Sequence, residues 1–163
     1  MPAYLKLTGF EGNVSKGAYK GWIEVESYSW GFSVPVQTTV GSTSNRLSAG
    51  KVTPGDLHIV KKQDQTSGKM MLDAMGGANI TEATLTITTL SKAGAEDKYM
   101  EYKMSDAIVS SFSTGGSQGQ HEPMENMSVN FAKIEISQFT KDVSGTAVAA
   151  QRGGFDFTTA AQV

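Results

Sequence analysis

The chain has 163 residues, no cysteine and a formal net charge of −2. That length fits one domain, expected over residues 1–163, able to bury roughly 70% of its unfolded surface without covalent staples. Lack of cysteine excludes disulfides and thiolate-bound metals, and the near-neutral charge leaves no basic footprint for nucleic acid.

The opening MPAYLKLTGF sets Ala3, Leu5 and Leu7 against Tyr4, Lys6 and Thr8, which predicts a first strand. It carries no apolar region of a secretory signal, so synthesis without such a signal is expected. No apolar run approaches the ~18 residues of a membrane helix, so membrane insertion is not expected. Glycines 9, 12, 17 and 21 then mark a loop. Residues 21–33, GWIEVESYSWGFS, read as one long strand. Its parity changes partway: Ile23 and Val25 share one face, but Tyr28, Trp30 and Phe32 fall on the side of Glu24 and Glu26. A strand that bulges, or leaves its own core for a second surface, switches in this way.

Residues 35–52, PVQTTVGSTSNRLSAGKV, are rich in Gly, Ser and Thr. They read either as a mobile surface loop or as a protruding hairpin that orders against another subunit. Leu57 and Ile59 alternate with Asp56 and His58, predicting a strand over 53–62 that ends at Lys61 and Lys62. This charge pair is expected in solvent, with an interface salt bridge as the other option. DQTSGKMMLDAMGG gives the only helix signal, over about 66–76. Thr66 or Ser67 caps it, Gly76 and Gly77 end it, and Met71, Leu72 and Met75 form its apolar stripe. In 80–90, Ala83, Leu85 and Ile87 should face inward and Glu82, Thr84, Thr86 and Thr88 outward. Residues 98–113 place Met100, Tyr102, Met104, Ile108 and Phe112 on one parity. Residues 122–139 show a second switch, from Met127, Val129 and Phe131 to Ala132, Ile134 and Ile136. Phe155 and Phe157 close the chain. About seven strands and one short helix, joined by hairpin-like turns, predict a mainly β protein: an antiparallel barrel or sandwich.

The residues suggest no catalytic constellation, cofactor or metal. His58 and His121 lack partners at ligand spacing, and Ser110, Ser111 and Ser113 have no base nearby in sequence. Glu24 and Glu26 lie about 7 Å apart on a strand face. Glycosidase carboxylates stand at comparable separations, but a solvated strand face is the simpler reading. The two parity switches point to self-association, because a second copy would cover a second apolar face. The competing non-catalytic reading is a small secreted carbohydrate- or ligand-binding β-sandwich with Trp22 or Trp30 as a stacking platform.

Several blocks resemble the haemolysin-coregulated protein (Hcp) family, the tube protein of bacterial type VI secretion. They are IEVESYSWGFS at 23–33, GKVTPGDLHIVKKQDQTSGKMML at 50–72, AIVSSFSTGGS at 107–117 and ENMSVNFAKIEI at 125–136. The resemblance implies a β-barrel like that of phage tail-tube proteins, with a helix packed outside. It further implies homohexameric rings that stack into a tube, driven outward by a contractile sheath behind a spike and carrying effectors in the lumen. It implies release to the medium or a target cell. On that basis Ser27, Ser29 and Gly31 are expected to contact cargo in the lumen. Trp30, Glu24, Glu26, Arg46 and Lys51 are expected at subunit interfaces, with Arg46 and Lys51 pairing with the glutamates.

Overall fold

Alternating apolar side chains build an antiparallel sheet that curls until its two ends share one run of chain. The computed structural model describes residues 1–15, 17–38, 47–90, 96–141 and 147–163. The strands are β1 (Ala3–Leu7), β2 (Ile23–Val25), β3 (Ser27–Ser29), β4 (Phe32–Ser33), β5 (Val36–Thr38), β6 (Leu47–Ala49), β7 (Thr53–Pro54) and β8 (Leu57–Lys62). After the helix α1 (Ser67–Met75) come β9 (Asn79–Leu90), β10 (Glu96–Gly115), β11 (Met124–Lys141), β12 (Ala147–Asp156) and β13 (Ala161–Gln162). Pairing runs β2-β1-β9-β10-β11-β8-β3. Because β2 and β3 are consecutive pieces of one run, the circuit closes into a barrel. The mainly β, antiparallel fold with one short helix is as expected.

The predicted single strand over 21–33 is broken at Glu26, whose N–H donates to the Val60 carbonyl at 2.9 Å. Before it, Ile23 lies opposite Leu5 of β1; after it, Tyr28 lies opposite Ile59 of β8. Changing neighbour re-aims the pleat, so Ile23 and Val25 are buried by one parity and Tyr28 packs against the same core by the other. β11 does likewise. Its first half lies beside β8 and its second half beside β12, while β10 flanks both. Met127, Val129, Phe131 and Ile134 all join one core. The parity switches therefore do not require a second copy, which corrects the sequence argument for self-association.

Other expectations fail for local reasons. β10 does not keep one parity: Ala107 and Val109 are buried and Ile108 is exposed. Asp106 adopts φ 52°, a left-handed conformation that Asp tolerates better than most side chains. A bulge then leaves Ser110 between the pairs Val109–Val129 and Ser111–Ser128, and brings Phe112 opposite Met127. Thr84, Thr86 and Thr88 of β9 are buried, not outward. The glycine-punctuated segment folds back beside that face: Tyr19 stacks on Tyr4 at 4.5 Å, and Tyr4 lies opposite Thr86. Gly12 permits this return, since a Cβ there would lie 2.2 Å from the Trp22 carbonyl oxygen. Residues 35–52 contain the β5–β6 hairpin, with Val36 opposite Ala49, flanked by the short β4–β7 pair.

The helix forms almost where expected, with Thr66 at its N-cap and Gly76 at its C-cap. Its predicted stripe is wrong. Ser67 and Met70 face the barrel, while Leu72 and Met75 are 70% and 82% exposed. A polar network at the first turn fixes which side faces in. The Thr66 hydroxyl makes no cap bond; instead Asp64 Oδ1 accepts from the Thr66 N–H at 2.9 Å. Ser67 Oγ donates to Glu125 Oε2 at 2.7 Å, and Lys61 Nζ donates to Ser67 Oγ at 3.0 Å. Lys61 also meets Glu125 at 2.7 Å and Asp64 at 3.0 Å, and both Lys61 and Glu125 are fully buried. The solvated Lys61 expected from sequence is thus a core residue. Lys62 alone faces solvent, between Glu26 and Glu122.

Removing one partner of a buried pair leaves an uncompensated charge, at a cost of about 3–5 kcal/mol. Lys61→Met and Glu125→Leu should each destabilise by that order in urea unfolding. The double variant should recover most of the loss. Additive losses in the double variant would show that the pair is not coupled.

Candidate functional site

Strands β3, β8, β11 and β10 turn one face to the core and the opposite face outward. Directly opposed residues share a face, so register places the outward side chains in rows. One row runs Ser29, His58, Ser128, Ser111. The next runs Ser27, Val60, Asn126, Ser113. At neighbour spacings of about 4.8 Å, four strands make a band about 14 Å wide. The complementary parity, Tyr28, Ile59, Met127 and Phe112, packs inward.

The band holds its own hydrogen bonds. Ser128 Oγ lies 2.8 Å from His58 Nδ1. At one end Asp56 accepts from Ser110 Oγ at 2.5 Å and from Asn130 Nδ2 at 2.7 Å. The bulge at Ser110 aims that hydroxyl at the carboxylate. These two bonds, Ser110 first, hold the Asp56 carboxyl below the usual carboxylate range against a smaller opposing effect of burial. Ser128 meets His58 at Nδ1, the nitrogen that the acid of a nucleophilic triad would hold, so the pair does not have triad geometry. At the other end Lys62 links Glu26 and Glu122.

Of the expected lumen residues, Ser27 and Ser29 lie in the band and are exposed. Gly31 is exposed just beyond β3, where its carbonyl accepts from the Gly55 N–H at 2.8 Å. A Cβ on Gly55 would come within 2.9 Å of that oxygen, which explains the glycine. Sequence reasoning missed His58, Ser111, Ser113 and Asn126 as members of the same surface; Ser128 shares their parity but is buried. The available signal was small polar residues on the non-core parity of three separate strands. Only register aligned them.

Trp30 lies elsewhere. It is half-buried, donates its indole N–H to the Gly55 carbonyl at 3.0 Å and packs against Phe131 and Tyr102, both at 6.1 Å. With Phe32, Met100, Ile134, Ile136 and Phe155 it lines an apolar recess of about 550 Å³. Phe32 is 62% exposed at this recess. Trp22 meets Tyr19 edge-on at 5.2 Å and lies beneath the Lys6 ammonium. Both tryptophans are half-buried and engaged in ring or cation contacts within the subunit. Glu24, Glu26 and Lys51 are exposed, but Glu26 pairs with Lys62, and no ion pair among the described residues involves Lys51. Arg46 lies outside the described residues. Among the described residues no group of His, Cys, Asp or Glu could hold a metal, and no helix is long and apolar enough to cross a membrane.

A carboxylate whose folded pKa is depressed stabilises the fold above its unfolded pKa, and the effect fades as pH falls through the folded value. Asp56→Asn should therefore be less stable than the parent at pH 7. The gap should narrow as pH drops below 3.8, the ordinary Asp value. Urea titrations at stepped pH measure this; a gap independent of pH would refute it.

A family model described as "Type VI secretion system effector, Hcp" matches residues 4–138. Protein hcp1 of Pseudomonas aeruginosa is 33% identical over 97 residues, and that match spans 58% of this chain and 58% of the relative. A solved structure described as a type six secretion system protein superposes with a TM-score of 0.86, at 25% identity over 99% of both chains. Hcp1 from Salmonella typhimurium shares the fold, with a TM-score of 0.76 at 23% identity, covering 99% of this chain and 98% of the other.

Proposed function

Since the chain belongs to the Hcp family of type VI secretion proteins, we propose that it is a tube subunit, closing into homohexameric rings that stack and are expelled. The observation that carries this reading is the serine- and asparagine-lined face of β3, β8, β11 and β10, which we assign to the wall of the lumen. Hydroxyls and amides offer a passing polypeptide the same hydrogen bonds as water, so cargo gains little by adhering. Ser27, Ser29 and Gly31 keep their role as cargo contacts, joined by His58, Ser111, Ser113 and Asn126. The work is mechanical and steric, with no catalytic step and no cofactor.

A ring needs two different patches of one subunit to meet. The recess walled by Trp30 and Phe32 supports one of them, because an open apolar cavity gains free energy when a neighbour covers it. Glu24, Glu26 and Lys51 would then set register at the rim more than affinity, with Arg46 as a further contact. Sheath and spike proteins and effector cargo complete the set of partners, neither nucleic acid nor membrane insertion being part of it. The subunit acts as one domain over residues 1–163, made in the bacterial cytoplasm and released to the medium or a target cell.

Negative-stain microscopy of the purified protein should show annular particles with a central hole; a uniform monomer would overturn the ring. Ser29→Gln should keep the rings but lower the effector that co-purifies with them several-fold. Cargo unchanged in intact rings would remove Ser29 from the wall.

A further inference from the structure

His58 stands in the middle of the polar band. It lies opposite Ser29 of β3 and Ser128 of β11, and it is exposed. The other positions of the two rows hold serine, asparagine or valine, which carry no charge at any ordinary pH. An imidazole takes up a proton between pH 8 and pH 5. The chain has one other histidine, His121, in the bend before β11 and outside both rows.

The charges around His58 are fixed and lie at the ends of the band. On its own run, Asp56 comes two residues before it, about 7 Å along the strand, and Lys62 comes four residues after it. Ser27–Ser29 of β3 carries no charge, and Glu26 precedes it at the bend. On β11 this face shows Asn126, Ser128 and Asn130, and Glu122 lies before the strand. Residues 107–115 of β10 are uncharged, and Asp106 lies beyond the pair Ile108–Asn130. Lys61 and Glu125 face the core and pair with each other. Asp56 is tied to Ser110 and Asn130, and Lys62 to Glu26 and Glu122. His58 is thus the one group in the middle of the band whose charge changes over this range.

Its setting lets that change occur without a change of shape. A serine hydroxyl can donate or accept. Ser128 Oγ donates to a bare Nδ1 and accepts from a protonated one, so the 2.8 Å contact serves both states. With His58 uncharged, the carboxylates of Asp56, Glu26 and Glu122 outnumber the Lys62 ammonium, and the surface favours basic segments. A proton on His58 opposes that preference, and a ring repeats it once per subunit. We propose that His58 determines which polypeptide segments the wall holds, basic ones near neutral pH and acidic ones in acid. Cargo loaded through basic segments at neutral pH is then released on acidification. The proposal rests on the assignment of this face to the lumen wall and adds its charge selectivity.

Fluorescence anisotropy on purified rings tests it, with two rhodamine-labelled decapeptides, one of alternating Glu and Ser and one of alternating Lys and Ser. From pH 8 to pH 5.5 the Glu–Ser peptide should bind several-fold more tightly and the Lys–Ser peptide several-fold more weakly. His58→Asn should make both affinities nearly independent of pH, while His121→Asn should follow the parent. The response should vanish in 1 M salt, where screening acts within about 3 Å. Rings of the parent whose affinities do not move with pH would overturn the role of His58 and leave the wall in place. So would a pH response that survives in His58→Asn or disappears in His121→Asn. Failure of the parent to form rings would remove the wall reading, and this role with it.

Discussion

A strand has two edges, and each can hydrogen-bond to one neighbour at a time. The barrel is closed by a run of seven residues that respects this limit by changing neighbour. Ile23–Val25 pairs with β1 and Ser27–Ser29 with β8, and Glu26 spans the bend. The change re-aims the side chains, so the inward set passes from Ile23 and Val25 to Tyr28. It also delivers Ser27 and Ser29 to the outer face. β11 obeys the same constraint at larger scale, with β8 beside its first half and β12 beside its second. The polar band across β3, β8, β11 and β10 exists because these two runs leave one partner for another.

The helix is held by a different kind of force. A nine-residue helix gains little from intrinsic propensity, and tertiary contacts decide where it sits. Here the contact is ionic and dry. Lys61 at the end of β8 and Glu125 near the start of β11 meet without solvent, and Ser67 adds the first turn of α1 to the pair. Such a pair contributes little net stability compared with an apolar substitute. Its effect is geometric: it determines that Ser67 and Met70 face inward, leaving Leu72 and Met75 in water.

The two surfaces differ in chemistry. The band from Ser29 to Ser111 is polar, with Ser128 and His58 in contact within it. The recess around Trp30 is lined largely by apolar side chains, Phe32, Met100, Ile134, Ile136 and Phe155 among them.

The sequence by itself determined the mainly β class, the single helix and most strand positions, because period-2 alternation and glycine punctuation are local properties. The family resemblance was equally legible, carried by blocks such as IEVESYSWGFS. Alternation also placed Ser27 and Ser29 on the parity opposite Tyr28, and both are exposed on β3. Only the tertiary structure decided what each parity faced. Lys61 looked solvated because nothing nearby in sequence announces Glu125, which lies 64 positions away; Thr86 and Thr88 looked exposed because the covering segment is equally remote. The polar band was invisible for the same reason, since its rows exist only once inter-strand register aligns Ser29, His58, Ser128 and Ser111. Side-chain alternation follows from the chain's own geometry, whereas burial and alignment depend on which distant segment comes to lie alongside.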